Sequence, residues 1–498
     1  MSIIQWECIM TAAANQRYGA FIDNKLYHFS RVVPDYIRCC CLAFLLVIPA
    51  SIFAQSKNNP VAITVDAVQV RWQISRYLLG MHFVYPQERD AIYADGRIAD
   101  WARKQNIAIA RFPGGTVVDY WDWEHPTGIH RGDRWEPGYD STNDVPATEW
   151  MSLDEYMAFC RRAGAEPLVG VNILGGWQYD RVEDSIARAV RCVKYCKRKG
   201  YNVRWWYLGN EIEGKLGIEN YAKLVKRHAD AMKQVDPTIK TMPNTNVMTP
   251  EKVRTFLEIC GSSIDGVEFH GKWKGFRAVG RYQDWLRESP LQHAEERGIY
   301  SEKIWRFRDV AKEMGYPELI MANNEWGLGG RMEGFNKYTK SLVMVEYLQD
   351  MFMGNYDMAC LWNTHWRRNS DNHLLDSTNG YAFNPVARGF ELLSTAAEQQ
   401  MLALATTNRF VYGFACRDAA GVAVQIYLLN KTESEQNVSI TVQFFRPDAA
   451  QLPVGHVMQH PGTGLKTLQV SLVKSTGAVT ATLPSLSYTR LTINGRLQ

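Results

Sequence analysis

The amino-acid sequence predicts an α/β fold, a (β/α)8 barrel of the TIM type, followed by a C-terminal all-β sandwich domain. The first observation is that eight short apolar runs alternate with eight helical stretches, which is the count that closes such a barrel. The second is a change of pattern after about residue 400, where short β-rich runs separated by Asp, Gly, Asn and Pro replace the helical periodicity. The chain has 498 residues, enough for both domains.

Residues 74–398 contain the predicted barrel. The predicted strands are Leu78–Val84, Ile107–Phe112, Pro167–Ile173, Val203–Leu208, Ile239–Met242, Gly266–Phe269, Glu318–Ala322 and Met358–Trp362. The predicted helices are Arg89–Lys104, Leu153–Ala163, Val182–Lys199, Glu219–Val235, Lys252–Ile259, Glu302–Met314, Lys337–Phe352 and Pro385–Thr395. This alternation of strand and helix is the pattern of a parallel barrel whose helices lie outside it.

Residues 399–498 form the predicted sandwich. Its β-rich runs are Phe410–Cys416, Val422–Asn430, Val438–Phe444, Leu468–Val473 and Leu486–Ile493. Residues Val61–Trp72 also alternate like a strand, but they precede the first barrel strand and no helix follows them directly. We therefore interpret residues 55–73 as a linker and a strand that joins the sandwich.

The first 54 residues are interpreted as an N-terminal extension with a signal peptide. Cys39–Ala54 is the one long apolar run, and at 16 residues with Pro49 inside it is short for a membrane span of about 20 residues. The run suits the apolar region of a secretory signal cleaved near Ala54. We expect a secreted or periplasmic protein without stable membrane insertion after cleavage, with an uncleaved anchor as the alternative.

The charge balance gives no electrostatic case for nucleic acid as a partner. There are 56 Lys and Arg against 52 Asp and Glu, a formal net charge of +4. The 16 Trp and 24 Tyr fit platforms for sugar rings, and they fit a large aromatic core nearly as well. The expected partner is a polysaccharide or oligosaccharide. The six cysteines after Ala54 have no framework spacing, so they predict neither a disulfide scaffold nor a metal site.

Two carboxylates follow barrel strands, where the working residues of this fold lie. Asn210-Glu211 follows the fourth predicted strand, and Glu325 follows the seventh. An Asn-Glu pair alone is most often a strand that ends in a polar loop, but a second carboxylate at the same end changes that balance. Paired carboxylates are what glycosidic bond cleavage needs, one as acid and one as nucleophile or base. We predict Glu211 and Glu325 as catalytic, with no metal and no cofactor.

Other polar and aromatic residues gather at the same strand ends, and we predict that they bind substrate. They are Asn210, Arg111, Asn172, His270, Trp121, Trp326 and Trp362. The alternatives are an Arg that ties its loop to a neighbouring acid, a His satisfied within the core, and tryptophans that only support the rim. Glu213 lies two positions beyond Glu211 in the predicted loop, and we do not expect it to act as the acid.

These motifs resemble those of clan A glycoside hydrolases, most of all family 51, the α-L-arabinofuranosidases. Arg111–Gly115 is similar to the family's Arg-Tyr-Pro-Gly-Gly, Gly209–Glu211 matches its Gly-Asn-Glu, and Glu325-Trp326 matches its Glu-Trp. The resemblance runs from about Ile63 to the final strands. It implies a retaining mechanism with Glu211 as acid/base and Glu325 as nucleophile, while Asn210 would bond the sugar's 2-hydroxyl.

The chain departs from the family around the expected sugar pocket. Gly80–Tyr85 lacks the family's sugar-binding Glu, Thr116 stands where the family has Asn, and His270–Lys272 replaces its His-Tyr-Tyr. These departures leave the catalytic pair intact. They keep two alternatives open beside an arabinofuranosidase-like enzyme acting on plant or algal polysaccharides. One is an endo-acting hydrolase of the galactan or agar type, and the other is a non-catalytic carbohydrate-binding protein.

Overall fold

A closed barrel of eight parallel strands forms the centre of the computed structural model, which describes residues 59–125, 147–271, 280–288, 301–328, 332–366 and 370–498. This confirms the predicted fold class. After a first strand β1 (Val61–Gln73), the barrel strands are β2 Gly80–His82, β3 Ile109–Phe112, β4 Glu166–Val171, β5 Trp205–Leu208, β6 Lys240–Thr245, β7 Gly266–Phe269, β8 Ile320–Trp326 and β9 Met358–Leu361. β2 pairs with both β3 and β9, which closes the ring.

The helices follow the predicted order, with one break. They are Asp90–Tyr93, Arg97–Lys104, Leu153–Ala163, Leu174–Gln178, Val182–Lys199, Glu213–Leu216, Ile218–Val235, Pro250–Cys260, Tyr282–Arg287, Ser301–Glu313, Lys337–Met353 and Val386–Leu393. The single helix predicted over Arg89–Lys104 is wrong, because Gly96 interrupts it at φ +73°. Three short helices of four to six residues were not predicted, since they are too brief to show a helical period.

Side chains fill the barrel interior beneath its C-terminal mouth. The buried interior cluster comprises Ile109, Val118, Leu168, Trp205, Tyr207, Met242, Ala322, Met358 and Cys360. Large rings and branched side chains at these positions make a packed core and not a channel, as is usual in this fold. The polar residues that follow the strands therefore rest on a rigid apolar floor.

The second domain is a mostly antiparallel sheet system that continues β1 and contains all later long strands. These strands are β12 Gln400–Thr406, β13 Val411–Arg417, β14 Ala423–Asn430, β15 Gln436–Gln443, β16 Phe445–Pro447, β17 Val454–Met458, β18 Lys466–Leu468, β19 Val470–Val473, β20 Ala478–Leu483 and β21 Ser487–Leu497; the two-residue strands β10 Leu375–Asp376 and β11 Ala382–Phe383 pair separately. β1 lies between β12, to which it is antiparallel, and β15, to which it is parallel. It is thus a strand of the sandwich.

A buried ion pair lies where the barrel meets the sandwich. Glu346, on the helix Lys337–Met353, accepts the Lys431 ammonium at 3.0 Å, and both side chains are almost completely buried. Tyr412 donates its hydroxyl to the same carboxylate at 2.9 Å, and Trp285 donates its indole N–H at 2.5 Å. One carboxylate thereby ties a barrel helix to two residues of the sandwich.

The apolar run predicted as a signal lies outside the described residues. Within the described ranges, no helix is both long enough and apolar enough to cross a membrane. The six cysteines of these ranges are buried and free, and burial raises the pKa of Cys160 and of Cys260 to about 12. The thiols of Cys160 and Cys260 therefore remain protonated near neutral pH.

Candidate active site

The two predicted catalytic carboxylates meet at the C-terminal mouth of the barrel. Glu211 lies three residues after the end of β5, and Glu325 is the penultimate residue of β8. A carboxylate oxygen of each residue and a ring nitrogen of His270 lie within 4.8 Å of one another. The fold therefore brings together two acids that are more than a hundred positions apart in the sequence.

A left-handed turn presents Glu211 at the end of its strand. Gly209 has φ +77° and Glu211 itself has φ +54°, a region in which a residue with a Cβ is uncommon. The Glu211 N–H donates to Oδ1 of Asn244 at 2.9 Å, which holds the turn in place. The Glu211 side chain remains 27% exposed, so that it can exchange a proton with solvent or with a ligand in the mouth.

Glu325 is much more enclosed than Glu211. Its side chain is 3% exposed, and its Oε1 lies 2.9 Å from Nη1 of Arg111. The backbone of Gly115 also lies against it, because a Cβ at that position would be 2.7 Å from Oε1 of Glu325. The Arg111 guanidinium therefore holds Oε1 of Glu325 by a charge-assisted hydrogen bond inside an enclosed site.

Arg111 is completely buried beneath both acids. Its Nε forms an ion pair with Glu268 at 2.8 Å, and its Nη2 donates to Oδ1 of Asn210 at 3.0 Å. The guanidinium lies over the Tyr207 ring at 3.9 Å. Burial alone would lower the pKa of Arg111, but Glu268, Tyr207 and Glu325 raise it. This position corrects the predicted substrate contact to a role in holding Glu325 and Asn210.

His270 lies between the two acids. Its Nδ1 is 2.5 Å from Oε1 of Glu211 and 3.5 Å from Oε2 of Glu325, and its side chain is 1% exposed. Burial alone would lower the pKa of His270, but Glu325, Glu211 and Glu268 together outweigh burial and raise the pKa above its ordinary value. The imidazole therefore couples the charges of Glu211 and Glu325.

Sequence reasoning missed two residues that complete this network. Glu268, in β7, is fully buried and lies 2.8 Å from Arg111; burial alone would raise its pKa, but Arg111 and then His270 lower it. Asn244, near the end of β6, donates from Nδ2 to Oε1 of Glu268 at 2.7 Å. The strand-end rule indicates Asn244 as well, but the predicted fifth strand stopped at Met242, three residues before the strand ends at Thr245.

Asn210 and Asp119 form a second support under the catalytic turn. Asn210 is 3% exposed, and its N–H donates to Oδ1 of the fully buried Asp119 at 3.0 Å. Burial raises the pKa of Asp119 well above its ordinary value, an effect that the hydrogen bond from Asn210 only partly opposes. The predicted contact between Asn210 and a sugar hydroxyl stays a prediction.

Two of the predicted aromatic platforms are not available to a sugar ring. Trp326 is fully buried and stacks on Phe390 with an interplanar angle of 15°. Trp121 is 4% exposed and packs edge-on against Phe112. Both predictions are wrong, since these rings support the barrel wall. Trp362 is half-buried beside Gly115, and its contact with a sugar stays a prediction.

Asn172 and Glu213 are largely engaged in local structure. Oδ1 of Asn172 accepts the Gly175 N–H at 3.0 Å, within the first turn of the short helix Leu174–Gln178. Its Nδ2 is buried and has no hydrogen-bond partner among the described residues, so its predicted substrate contact stays a prediction. Glu213 begins a short helix and accepts Lys252 at 3.0 Å, which suits a structural acid.

The departures from the family motifs have structural counterparts. His82 is buried, with Nε2 3.0 Å from Nη1 of Arg111 and Nδ1 3.2 Å from the Asn324 carbonyl. Because the guanidinium only donates, Nε2 accepts and the proton resides on Nδ1. Gly271 stands in the place of the family's tyrosine and donates its N–H to Oδ1 of Asn323 at 2.9 Å. His82 therefore shapes the mouth through its buried ring, and Gly271 does so through its backbone.

The cluster Glu211, His270 and Glu325 is also the group of residues in the described ranges with enough closely placed donors to hold a metal ion. Arg111 already neutralises one of these carboxylates, and a proton on Nδ1 of His270 would compete with any cation. The arrangement therefore fits acid/base and nucleophilic chemistry better than metal ligation.

Comparisons with known proteins point to the same chemistry. A model of the alpha-L-arabinofuranosidase 1 domain matches residues 102–287. An intracellular exo-alpha-(1->5)-L-arabinofuranosidase of Streptomyces lividans is 26% identical over 194 residues, which cover 36% of this chain and 26% of the relative. The matched stretch thus spans about a quarter to two fifths of the length of such curated relatives. These matches confirm the resemblance seen in the motifs as distant homology.

Solved structures share the whole architecture. An alpha-L-arabinofuranosidase from Thermotoga maritima in complex with arabinose aligns with a TM-score of 0.65 at 18% identity, over 87% of this chain and 100% of that one. The GH51 arabinofuranosidase from Xanthomonas axonopodis pv. citri aligns with a TM-score of 0.67 at 15% identity, over 87% and 100% of the two chains. At these identities the likeness establishes the fold.

Proposed function

We propose, from its distant homology to the α-L-arabinofuranosidases of glycoside hydrolase family 51, that this chain is a retaining glycoside hydrolase. The observation that carries the proposal is the separation of at most 4.8 Å between an oxygen of Glu211 and one of Glu325. Retaining enzymes hold their carboxyl groups about 5 to 5.5 Å apart, whereas inverting enzymes leave about 6.5 to 9.5 Å for a water molecule.

The reaction then proceeds in two displacements. Glu325 attacks the anomeric carbon while Glu211 gives its proton to the departing glycosidic oxygen, and a covalent glycosyl-enzyme forms. Glu211, now ionised, takes a proton from a water molecule that attacks the same carbon, and Glu325 leaves as a carboxylate. The different exposures of the two side chains, 27% and 3%, suit these roles. Arg111 hydrogen-bonds Oε1 of Glu325 and so holds the nucleophile in position.

The substrate class follows from the relatives and from the altered mouth. The curated relatives are named for α-L-arabinofuranosyl linkages, so an arabinofuranosyl side chain of a plant or algal polysaccharide is the first candidate. Gly271 has no side chain where the family places a tyrosine, and this favours a second candidate, an endo-acting hydrolase of the galactan or agar type. Analysis of products from a polysaccharide panel distinguishes monosaccharide release from internal cleavage.

Variants of the two carboxylates test the mechanism. Glu325→Ala should abolish turnover, while Glu211→Ala should retain activity on 4-nitrophenyl glycosides, whose leaving group needs no proton. Azide should accelerate Glu211→Ala and give a glycosyl azide of retained configuration. Glu213→Gln is the matched control, because this acid lies two positions away and pairs with Lys252. Near wild-type rates in both catalytic variants, or an inverted first product by NMR, would refute the proposal.

We further propose that the chain is exported through the apolar run Cys39–Ala54. The support is the composition of the run alone, and a curated relative is named intracellular. Expression of the full chain in a bacterial host, followed by N-terminal sequencing of the periplasmic fraction, tests it. A mature N-terminus near residue 55 is the expected result, and an uncleaved cytoplasmic product would contradict export.

A further inference from the structure

We propose that Asn244 is a positioning residue that keeps a proton on Nδ1 of His270, the ring nitrogen that faces the acid/base Glu211. The kinetic part of this inference rests on the proposed function. The structural part concerns the tautomer of one buried histidine and can be decided without any activity. Asn244 is fully buried and bridges the ends of three neighbouring barrel strands.

The backbone N–H of Glu211 fixes the orientation of the Asn244 amide. Its Oδ1 accepts the backbone N–H of Glu211 at 2.9 Å, and a backbone N–H only donates. The amide oxygen must therefore face Glu211, and Nδ2 must lie on the opposite side. There it meets Oε1 of Glu268 at 2.7 Å, an acceptor that agrees with the same orientation.

The second hydrogen of Nδ2 determines the protonation of the imidazole. Nδ2 of Asn244 is 2.7 Å from Nε2 of His270, while Glu268 already takes the other hydrogen. A hydrogen on Nε2 would therefore oppose an amide hydrogen at this distance. Nε2 has to accept, and in a neutral imidazole the proton then belongs on Nδ1.

This proton reaches the catalytic pair. Nδ1 of His270 lies 2.5 Å from Oε1 of Glu211 and 3.5 Å from Oε2 of Glu325. With Oε1 engaged as an acceptor, the proton that Glu211 transfers to the leaving oxygen belongs on its Oε2. The opposite arrangement, in which Glu211 donates to Nδ1 and Nε2 carries the hydrogen, is the one that Asn244 excludes.

Charged groups from several elements surround the imidazole and act with Asn244. Glu211 follows β5, Glu268 lies in β7, Glu325 lies in β8, and the cation Arg111 lies in β3. The three carboxylates favour a proton on the ring, and both the neutral Nδ1–H form and the imidazolium keep one on Nδ1. The surrounding charges do not decide which nitrogen of the neutral ring carries the proton. Asn244 makes that selection between the two neutral tautomers.

NMR of the full chain with ¹⁵N-labelled histidine tests the tautomer directly. The resonances of His270 are identified by their loss in His270→Gln, and the nitrogen shifts and two-bond couplings distinguish Nδ1–H, Nε2–H and imidazolium. We expect a proton on Nδ1 at every pH at which the protein is folded, with Nε2 unprotonated in the neutral form. A neutral wild-type ring protonated on Nε2 overturns the proposal, whether or not the protein hydrolyses a glycoside.

Asn244→Asp tests the consequence, because it replaces the donor Nδ2 by an acceptor. The variant should acquire a proton on Nε2 and hold His270 as an imidazolium. The imidazolium donates directly to Oε1 of Glu211, whereas the new carboxylate contacts the Glu211 N–H, so the basic limb of the kcat/KM profile should shift about 1 unit lower. The loss should be about tenfold larger for alkyl glycosides than for 4-nitrophenyl glycosides, since the former depend on the acid.

Asn323→Asp is the matched control. Asn323 is an equally buried amide two strands away in β8, and within the described ranges its side chain hydrogen-bonds Gly271 and Tyr347 and neither Glu211 nor His270. It should leave the basic limb and the leaving-group ratio unchanged. Equal shifts in both variants, or none in Asn244→Asp, would overturn the proposal. If Asn244→Asp does not fold, the wild-type NMR result still decides. If wild type hydrolyses no glycoside, the proposed function fails and the NMR result still decides the role of Asn244.

Discussion

Removing the buried guanidinium of Arg111 should destabilise the protein in a way that depends on pH. Arg111→Met keeps much of the side-chain volume but leaves Glu268 and Glu325 close together without their cation. Removing one partner of a buried ion pair costs about 3 to 5 kcal/mol. We expect a loss of this size at about pH 7, measured by equilibrium urea unfolding and extrapolated to water.

The pH dependence follows from the sign of the shift at Glu268. Arg111 lowers the pKa of this carboxyl in the folded protein, so the stability that Glu268 contributes is present above the unfolded value of about 4.3 and is lost as the pH falls through the lowered folded value. In the variant, burial acts without Arg111 and raises the pKa of Glu268. The variant therefore regains stability relative to wild type as the pH falls through the raised pKa of Glu268, where this carboxyl takes up a proton.

A surface pair provides the control for this experiment. Arg162 contacts Asp100 at 2.9 Å, but the two side chains are 48% and 61% exposed. Arg162→Met should cause a much smaller loss, with little change between about pH 5 and pH 7. Two results would refute this reasoning: a loss of unfolding free energy below about 1 kcal/mol in Arg111→Met, or a loss that did not change with pH. Either would mean that the buried network does not carry the charges described above.

Three further predictions concern other parts of the molecule. Gly115→Ala should lower kcat about 100-fold with little change in unfolding free energy, because its Cβ would lie 2.7 Å from Oε1 of Glu325 and displace the nucleophile; an unchanged kcat on a 4-nitrophenyl glycoside would contradict it. Lys431→Met should cost about 3 to 5 kcal/mol in urea unfolding, since Glu346 would stay buried without its cation, and adding Glu346→Gln should recover part of that loss. Exhaustive treatment with EDTA should leave kcat/KM unchanged, because two carboxylates suffice for the proposed reaction; loss of activity restored by a divalent cation would show that a metal takes part.

Much of the barrel could be predicted from the sequence because apolar runs and helical periods are local signals. The same is true of Glu211 and Glu325, since the fold always gathers residues at the C-terminal strand ends. The interruption at Gly96 could not be predicted from the glycine alone, because a glycine permits the left-handed conformation without requiring it. Neither could the short helices, whose few residues carry no period.

The errors among the site residues share one physical cause. Neighbouring residues of a strand point to opposite sides, so Glu325 faces the mouth while Trp326 faces the outer helices and stacks on Phe390. The sequence places both at the same strand end and does not say which side each one takes. Arg111 was misjudged for a related reason, because its depth below the mouth depends on Tyr207 and Glu268.

The position of β1 has a consequence for biosynthesis. Val61–Gln73 finds its two neighbours, Gln400–Thr406 and Gln436–Gln443, only on the far side of the barrel sequence. With on the order of 300 residues still to be translated, the strand waits for tens of seconds at ordinary ribosomal rates before either partner emerges. During that time both of its edges are unpaired and open to other chains. Productive synthesis should therefore depend on protection of this early segment, and a sandwich expressed from residue 399 onward should aggregate unless the peptide Val61–Gln73 is supplied in trans.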